Sequence, residues 1–189
     1  MNQMKHIEFE TPLFVATTFG IGDDFPKDAP IAEPFAVKAG KGASLCVASN
    51  DEIPLFFAAK GVLGGAKIDL KSAVDGSFRE KFHTAITQYN LNPAEIQVYM
   101  GPCLTFSHTS VERKLIEQLM GEGYRAACKR TDGIDFLDVP VLVLMQCRRL
   151  GVPMANIHIG DYDTFENPDL LYSALRGDKK VNHTVAKLK

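Results

Sequence analysis

At 189 residues, 46% hydrophobic and 23% charged, the chain has enough apolar mass for a packed core, which excludes a disordered polyelectrolyte. A net charge of −2 excludes the whole-chain basic field that points to nucleic acid. No apolar run is long enough to span a bilayer, and Glu8 and Glu10 interrupt any signal-peptide core, so a cytoplasmic protein of one domain over 1–189 is expected, without membrane or nucleic-acid partners.

In chain order, Leu13–Phe19 is a β-like run, and 20–34, with Pro26, Pro30 and Pro34, reads as a surface loop. Strands are predicted over 43–49 and 55–59. Lys60-Gly61 is a turn signal, and Val62–Lys67 completes a hairpin in which Gly64 and Gly65 mark weakness or a close backbone approach. Ser77-Phe78-Arg79-Glu80 is a capping box opening a helix whose face is Phe78, Phe82, Ala85, Ile86 and Tyr89. Ile96–Met100 alternates as a strand, and Gly101-Pro102-Cys103 breaks it. A second capping box, Thr109-Ser110-Val111-Glu112, opens a helix with Leu115, Ile116, Leu119 and Met120 on its apolar face.

The run Val139–Leu150 has strand-like β-branched residues, but its punctuation is helical. Asp138 is an N-cap candidate, Pro140 suits the first turn, Arg148 and Arg149 the last, and Gly151 with Pro153 the stop. Asn156–Ile159 reads as a short strand and Asn167–Gly177 as a short helix. The tail 178–189 is polar and is expected to fray. The alternation of strands and helices predicts an α/β (α+β) layered sandwich, a mixed sheet with helices packed on its faces.

Chemical signatures are sparse. There is no phosphate-binding glycine loop, no nucleophile elbow and no H-E-x-x-H. Cys46, Cys103, Cys128 and Cys147 show no metal-ligand spacing and read as reduced, mostly buried thiols. Cys103, with His108 five residues on, is one candidate nucleophile and base.

A more specific signal is an ordered set. Met100-Gly101-Pro102-Cys103 follows a strand; Asp138, Gln146 and Leu150-Gly151-Val152 surround a buried helix; Asp163-Thr164 precede Ser173 and Arg176. In this order, over roughly 43–178, the chain resembles the bacterial laccase-domain or polyphenol-oxidase family, also called the YfiH family. The resemblance implies an α/β sandwich and phosphorolysis or deamination of purine nucleosides with a zinc held by two histidines and a cysteine.

Carried over residue by residue, the resemblance sets Glu52 at the ligand cysteine and Lys67 at a ligand histidine, with Asp51 and Pro54 retained. Lys71 stands at an arginine and Asp163 at a second cysteine, while Thr164, Ser173 and Arg176 remain. The second ligand histidine has no counterpart before Ala43. This implies that the zinc site is not retained, that no other cofactor is needed, and that Glu52 and Lys67 form an ion pair in its place. Glu52, Lys67 and Cys103 are the catalytic candidates; Asp51, Lys71, Thr164 and Arg176 are the candidates for binding a nucleoside or an anion. Three readings follow. The first is a metal-free binding protein or pseudoenzyme of this family. The second is a metal-independent nucleoside enzyme with Glu52 or Asp51 as general base, which needs a raised carboxylate pKa. The third is a structural or interaction protein.

Overall fold

The computed structural model describes residues 6–26 and 28–189. Residues 1–5, where no signal-peptide start was read, and Lys27 in the Pro-rich loop lie outside the described residues.

The strands are β1 (Ile7–Glu10), β2 (Phe14–Phe19), β3 (Phe35–Ala39), β4 (Ser44–Ser49), β5 (Ile53–Ala59), β6 (Val62–Ile68), β7 (Gln97–Met100), β8 (Cys128–Thr131), β9 (Ile134–Leu137), β10 (Ile157–Ile159) and β11 (Asn182–Leu188). The helices are α1 (Leu70–Val74), α2 (Ser77–Gln88), α3 (Arg113–Gly121) and α4 (Val139–Arg149). A five-stranded sheet of order β10-β7-β5-β6-β3 lies at the centre. Its β10–β7 pair is parallel and the rest antiparallel. A second, antiparallel sheet has the order β1-β2-β11-β4.

The central sheet divides the core. On one side Leu55, Phe57 and Ala59 pack with Phe78, Phe82, Leu142 and Val143 from the helices. On the other Phe56, Ala58 and Leu63 meet Phe14, Leu45, Val47 and Ala186 of the second sheet. Every residue of β5 is therefore buried, as a strand covered on both faces must be. The mixed sheet is as expected, with one addition: helices cover one face and a sheet covers the other.

Local rules explain most elements. Lys60 and Gly61 both have positive φ, 52° and 73°, the geometry of a tight hairpin turn between β5 and β6. Gly64 is a close approach: a Cβ there would sit 2.0 Å from Phe57 Cζ. The 139–149 segment is a helix, and Asp138 caps it by accepting from Val141 N–H at 3.2 Å.

Three expectations need correction. The tail does not fray: Asn182–Leu188 forms β11, paired with both β2 and β4. Residues 167–177 form turns, not a helix. Neither capping box forms as drawn. Ser77 is already helical and its N–H is taken by Asp75 Oδ1 at 2.9 Å, while α3 starts only after Glu112. Residues ahead of α3 are held extended by pairing with β9, through Val111 N–H to Asp135 C=O and Leu137 N–H to Thr109 C=O. The short α1 was missed, although Asp69 and Ser72 make a reciprocal capping box at its start.

Candidate functional site

The loop from Asn50 to Glu52 joins β4 to β5 and so passes from one sheet to the other. Asp51 is no solvated turn residue. Its Oδ1 accepts from Thr164 Oγ1 at 2.7 Å, its Oδ2 from Leu175 N–H at 2.8 Å, and its carbonyl from Leu104 N–H at 3.1 Å. Thr164, fully buried, in turn donates its N–H to the Cys103 carbonyl at 3.1 Å. Asp51 and Thr164 thus tie the β5 entry to the 101–105 and 163–176 segments.

Glu52 sits two residues before Pro54, which lies opposite Lys67 in the β5–β6 register, so Glu52 and Lys67 are diagonal neighbours on one face. Lys67 Nζ is 3.5 Å from Glu52 Oε1 and 3.8 Å from Glu33 Oε1. The other Glu52 oxygen accepts from Asn50 N–H at 3.0 Å. Burial by itself raises the Glu52 pKa, but backbone donors at Asn50, Glu52 and Asp51 and the Lys67 ammonium outweigh it and leave the carboxyl below its ordinary value.

A cleft of about 330 Å³ opens beside this loop. It is lined by Asp51, Glu52, Ile53, Ile68, Asp69, Leu70, Leu104, His108, Thr109, Ser110 and Val139. His108 was expected to serve Cys103. Instead its Nε2 lies 2.7 Å from Glu166 Oε1, and its ring packs 4.6 Å from that of Phe165.

Asp163, at the position where the resemblance expects a cysteine, caps a turn. Its Oδ2 accepts from Thr105 N–H at 2.7 Å and its Oδ1 from Phe165 and Glu166 N–H at 2.7 and 2.9 Å. Burial raises its pKa, and these donors more than reverse that, holding it low. The Asp at 163 followed by Thr, Phe and Glu is the legible signal of such a turn.

The structure places three site candidates in settings that differ from those expected. Cys103 is buried, and desolvation, with smaller contributions from Asp163, Asp138 and Asp51, pushes its thiol up to about 12, which disfavours the thiolate a nucleophile needs. Arg176 is not free for an anion. Its guanidinium donates to the carbonyls of Thr164, Phe165 and Leu171 and to Asp178, and so clamps the 163–178 loop. Lys71 is exposed on α1 and is not among the residues lining the cleft. All four cysteines are free.

The donor set decides what metal chemistry these residues fit. Zinc takes thiolate, neutral imidazole and carboxylate; an ammonium offers no lone pair. Glu52 with Lys67 beside it does not fit a zinc ion, and among the described residues no group of three or more His, Cys, Asp and Glu could hold a metal. Among them, too, no helix is long and apolar enough to cross a membrane.

Comparison with known proteins gives a consistent picture. A family model described as multi-copper polyphenol oxidoreductase laccase matches residues 35–186. Among solved structures, the hypothetical protein YfiH of Bacillus licheniformis superposes with a TM-score of 0.73 at 18% identity, over 82% of this chain and 61% of that one. YlmD of Geobacillus stearothermophilus gives 0.68 at 19% identity, over 82% and 60%. A Neisseria meningitidis protein of the family DUF152 gives 0.69 at 17% identity, over 82% and 64%. The chain spans about three fifths of the length of these relatives. No curated protein matches it.

Proposed function

The chain belongs to the multi-copper polyphenol oxidoreductase laccase family, and from that premise we propose that it is a metal-free member whose cleft binds a small, uncharged ligand of nucleoside type. The observation that carries the reading is the 3.5 Å approach of Lys67 Nζ to Glu52 Oε1. It occurs at the two positions where the resemblance expects a thiolate and an imidazole. The chain's own cation neutralises the carboxylate there.

The cleft supports a small-molecule ligand. Its volume of about 330 Å³ lies at the lower end of ordinary ligand sites. Ile53, Ile68, Leu70, Leu104 and Val139 offer apolar walls for a planar ring, and His108, Thr109 and Ser110 offer hydrogen bonds at its edge. Asp51 and Asp69 keep the lining acidic even with Glu52 paired to Lys67, and neither Lys67 nor Arg176 lines it. That sign favours an uncharged ligand over an anion and weighs against phosphorolysis, in which phosphate must enter. A general base at Glu52 needs a raised pKa, and Glu52 is held low.

Elemental analysis of the purified protein, with adenosine and inosine titrations by calorimetry, tests the reading. Saturable nucleoside binding without zinc supports it. Stoichiometric zinc overturns the metal-free part, and absence of binding by both nucleosides overturns the ligand. Phosphate-dependent release of the base overturns the preference against anions.

A further inference from the structure

A sheet edge is a row of main-chain donors and acceptors, and the edges of the two large sheets are closed in different ways. In the second sheet β1 carries the exposed Glu8 and Glu10. The free side of β4 is taken by the loop before it, through Cys46 N–H to the Pro30 carbonyl at 2.9 Å and Ala32 N–H to the Cys46 carbonyl at 2.7 Å. In the central sheet β10 has only three residues. The other edge, β3, has five, Phe35–Ala39, and among the described residues it pairs with β6 alone.

Register fixes which groups of β3 are open. Lys67 N–H donates to the Pro34 carbonyl and Gly40 N–H to the Gly61 carbonyl, both at 3.0 Å. These residues are opposed in the same antiparallel register, so the bonded positions of β3 are the even-numbered ones, and Ala36 and Lys38 bond to Gly65 and Leu63. The N–H and C=O groups of Phe35, Val37 and Ala39 therefore point away from β6, into the open edge. Beside that edge lies a groove of about 430 Å³ between β3 and α2, walled by Phe35 and Val37 from the strand and by Thr84, Ala85 and Tyr89 from the helix side. A strand added here finds main-chain partners along the edge and room for its alternate side chains in the groove.

We infer that β3 pairs with β3 of a second copy of this chain, antiparallel about a two-fold axis at Val37. Charge and size select the copy. The strand is preceded by Glu33, whose side chain is 56% exposed, and followed by the exposed Lys41. Pairing about Val37 sets the acidic flank of each copy against the basic flank of the other. Within the strand Phe35 falls opposite Ala39, large against small, and Lys38, the one charge in β3, falls opposite Ala36 and not opposite its own image. Phe35 and Val37 pack on the helix side of the sheet, so their counterparts from the second copy lie over the groove. The pairing needs neither the cleft nor its ligand.

Sedimentation velocity over a concentration series, with residue-resolved amide exchange by NMR, tests the pairing. The native chain is expected to pass from monomer to dimer between about 1 and 100 µM. The Val37 and Ala39 amides should exchange at least about tenfold more slowly in the dimer, whereas Ala36 and Lys38, already bonded to β6, should be slow throughout. Lys41→Glu, outside the strand, should weaken dimerisation by about fivefold or more, and Glu33→Lys added to it should restore the native constant. A native chain that stays monomeric overturns the inference, as does a dimer whose Val37 and Ala39 amides exchange as fast as the monomer's. A dimer that Lys41→Glu leaves unchanged overturns pairing about Val37. A monomer that binds an end-capped peptide of residues 33–41, with the same two amides protected, assigns the edge to a free strand and overturns the second copy.

Discussion

Replacing Asp51 with Ala removes both acceptors of a carboxylate that ties the 50–52 loop to two points of the 163–176 segment, and leaves the main-chain bond from Leu104 N–H in place. The partners differ in what they lose. Thr164 is fully buried, so its hydroxyl, 2.7 Å from Asp51 Oδ1, is stranded away from water at a cost of about 1–3 kcal/mol. Leu175 is 53% exposed, so water replaces the 2.8 Å bond to its N–H and the loss there is about 0.5–1.5 kcal/mol. The expected destabilisation is about 1.5–4.5 kcal/mol, visible in urea unfolding as a lower midpoint at unchanged m-value. Asp51→Ala combined with Thr164→Val should cost less than the two single changes added together, because no hydroxyl is then left unpaired. Glu52→Gln, one residue on, provides the contrast. The Glu52–Lys67 pair is about a third exposed, with side chains 32% and 29% accessible, and such a pair is worth about 0–1 kcal/mol. A loss below about 0.5 kcal/mol for Asp51→Ala, or equal losses at 51 and 52, would refute the view that Asp51 is the structural hub of this loop.

Iodoacetamide at mildly alkaline pH is expected to spare Cys103 and Cys147, whose thiols burial pushes up to about 12, until the protein is unfolded; mass spectrometry showing Cys103 alkylated in the native protein counts against its burial. Deleting residues 182–188 should abolish cooperative unfolding, because β11 lies between β2 and β4 in their sheet and pairs with both; a truncated chain with native circular dichroism and an unchanged midpoint would show otherwise. Asp163 has its folded-state pKa depressed. Its stabilising contribution is therefore present above the ordinary carboxylate value and lost as pH falls through the lower folded value. Asp163→Asn should flatten the acid limb of a stability–pH curve, and an unaltered slope would remove this carboxylate from the acid response.

Several features were legible because they are written locally. Helix α4 could be read against its β-branched composition because Asp138, Pro140 and Gly151 punctuate it. The β5–β6 hairpin follows from Lys60-Gly61, and the buried face of α2 from the spacing of Phe78, Phe82, Ala85 and Ile86. The Glu52–Lys67 pair was anticipated through the resemblance, and the hairpin register then brings the two side chains within reach. The strand β11 was hidden by its composition. Its inward residues are Asn182, Thr184, Ala186 and Leu188, which do not alternate as hydrophobic against polar. Thr184 is tolerated inside because Thr18 meets it across the sheet at 2.9 Å, a partner 166 residues away in the chain.

The same division holds for the site. Sequence by itself determined the family pattern and the position of the 50–54 loop. Only the tertiary structure decided that Cys103 is sealed from water, that Arg176 is occupied by loop carbonyls, and that His108 belongs to Glu166 instead of the thiol. The physical reason is that a side chain's type is a property of one position. Its desolvation and the partners that consume its hydrogen bonds are set by segments far apart in the chain, and these become neighbours only when the two sheets and the helices close on each other.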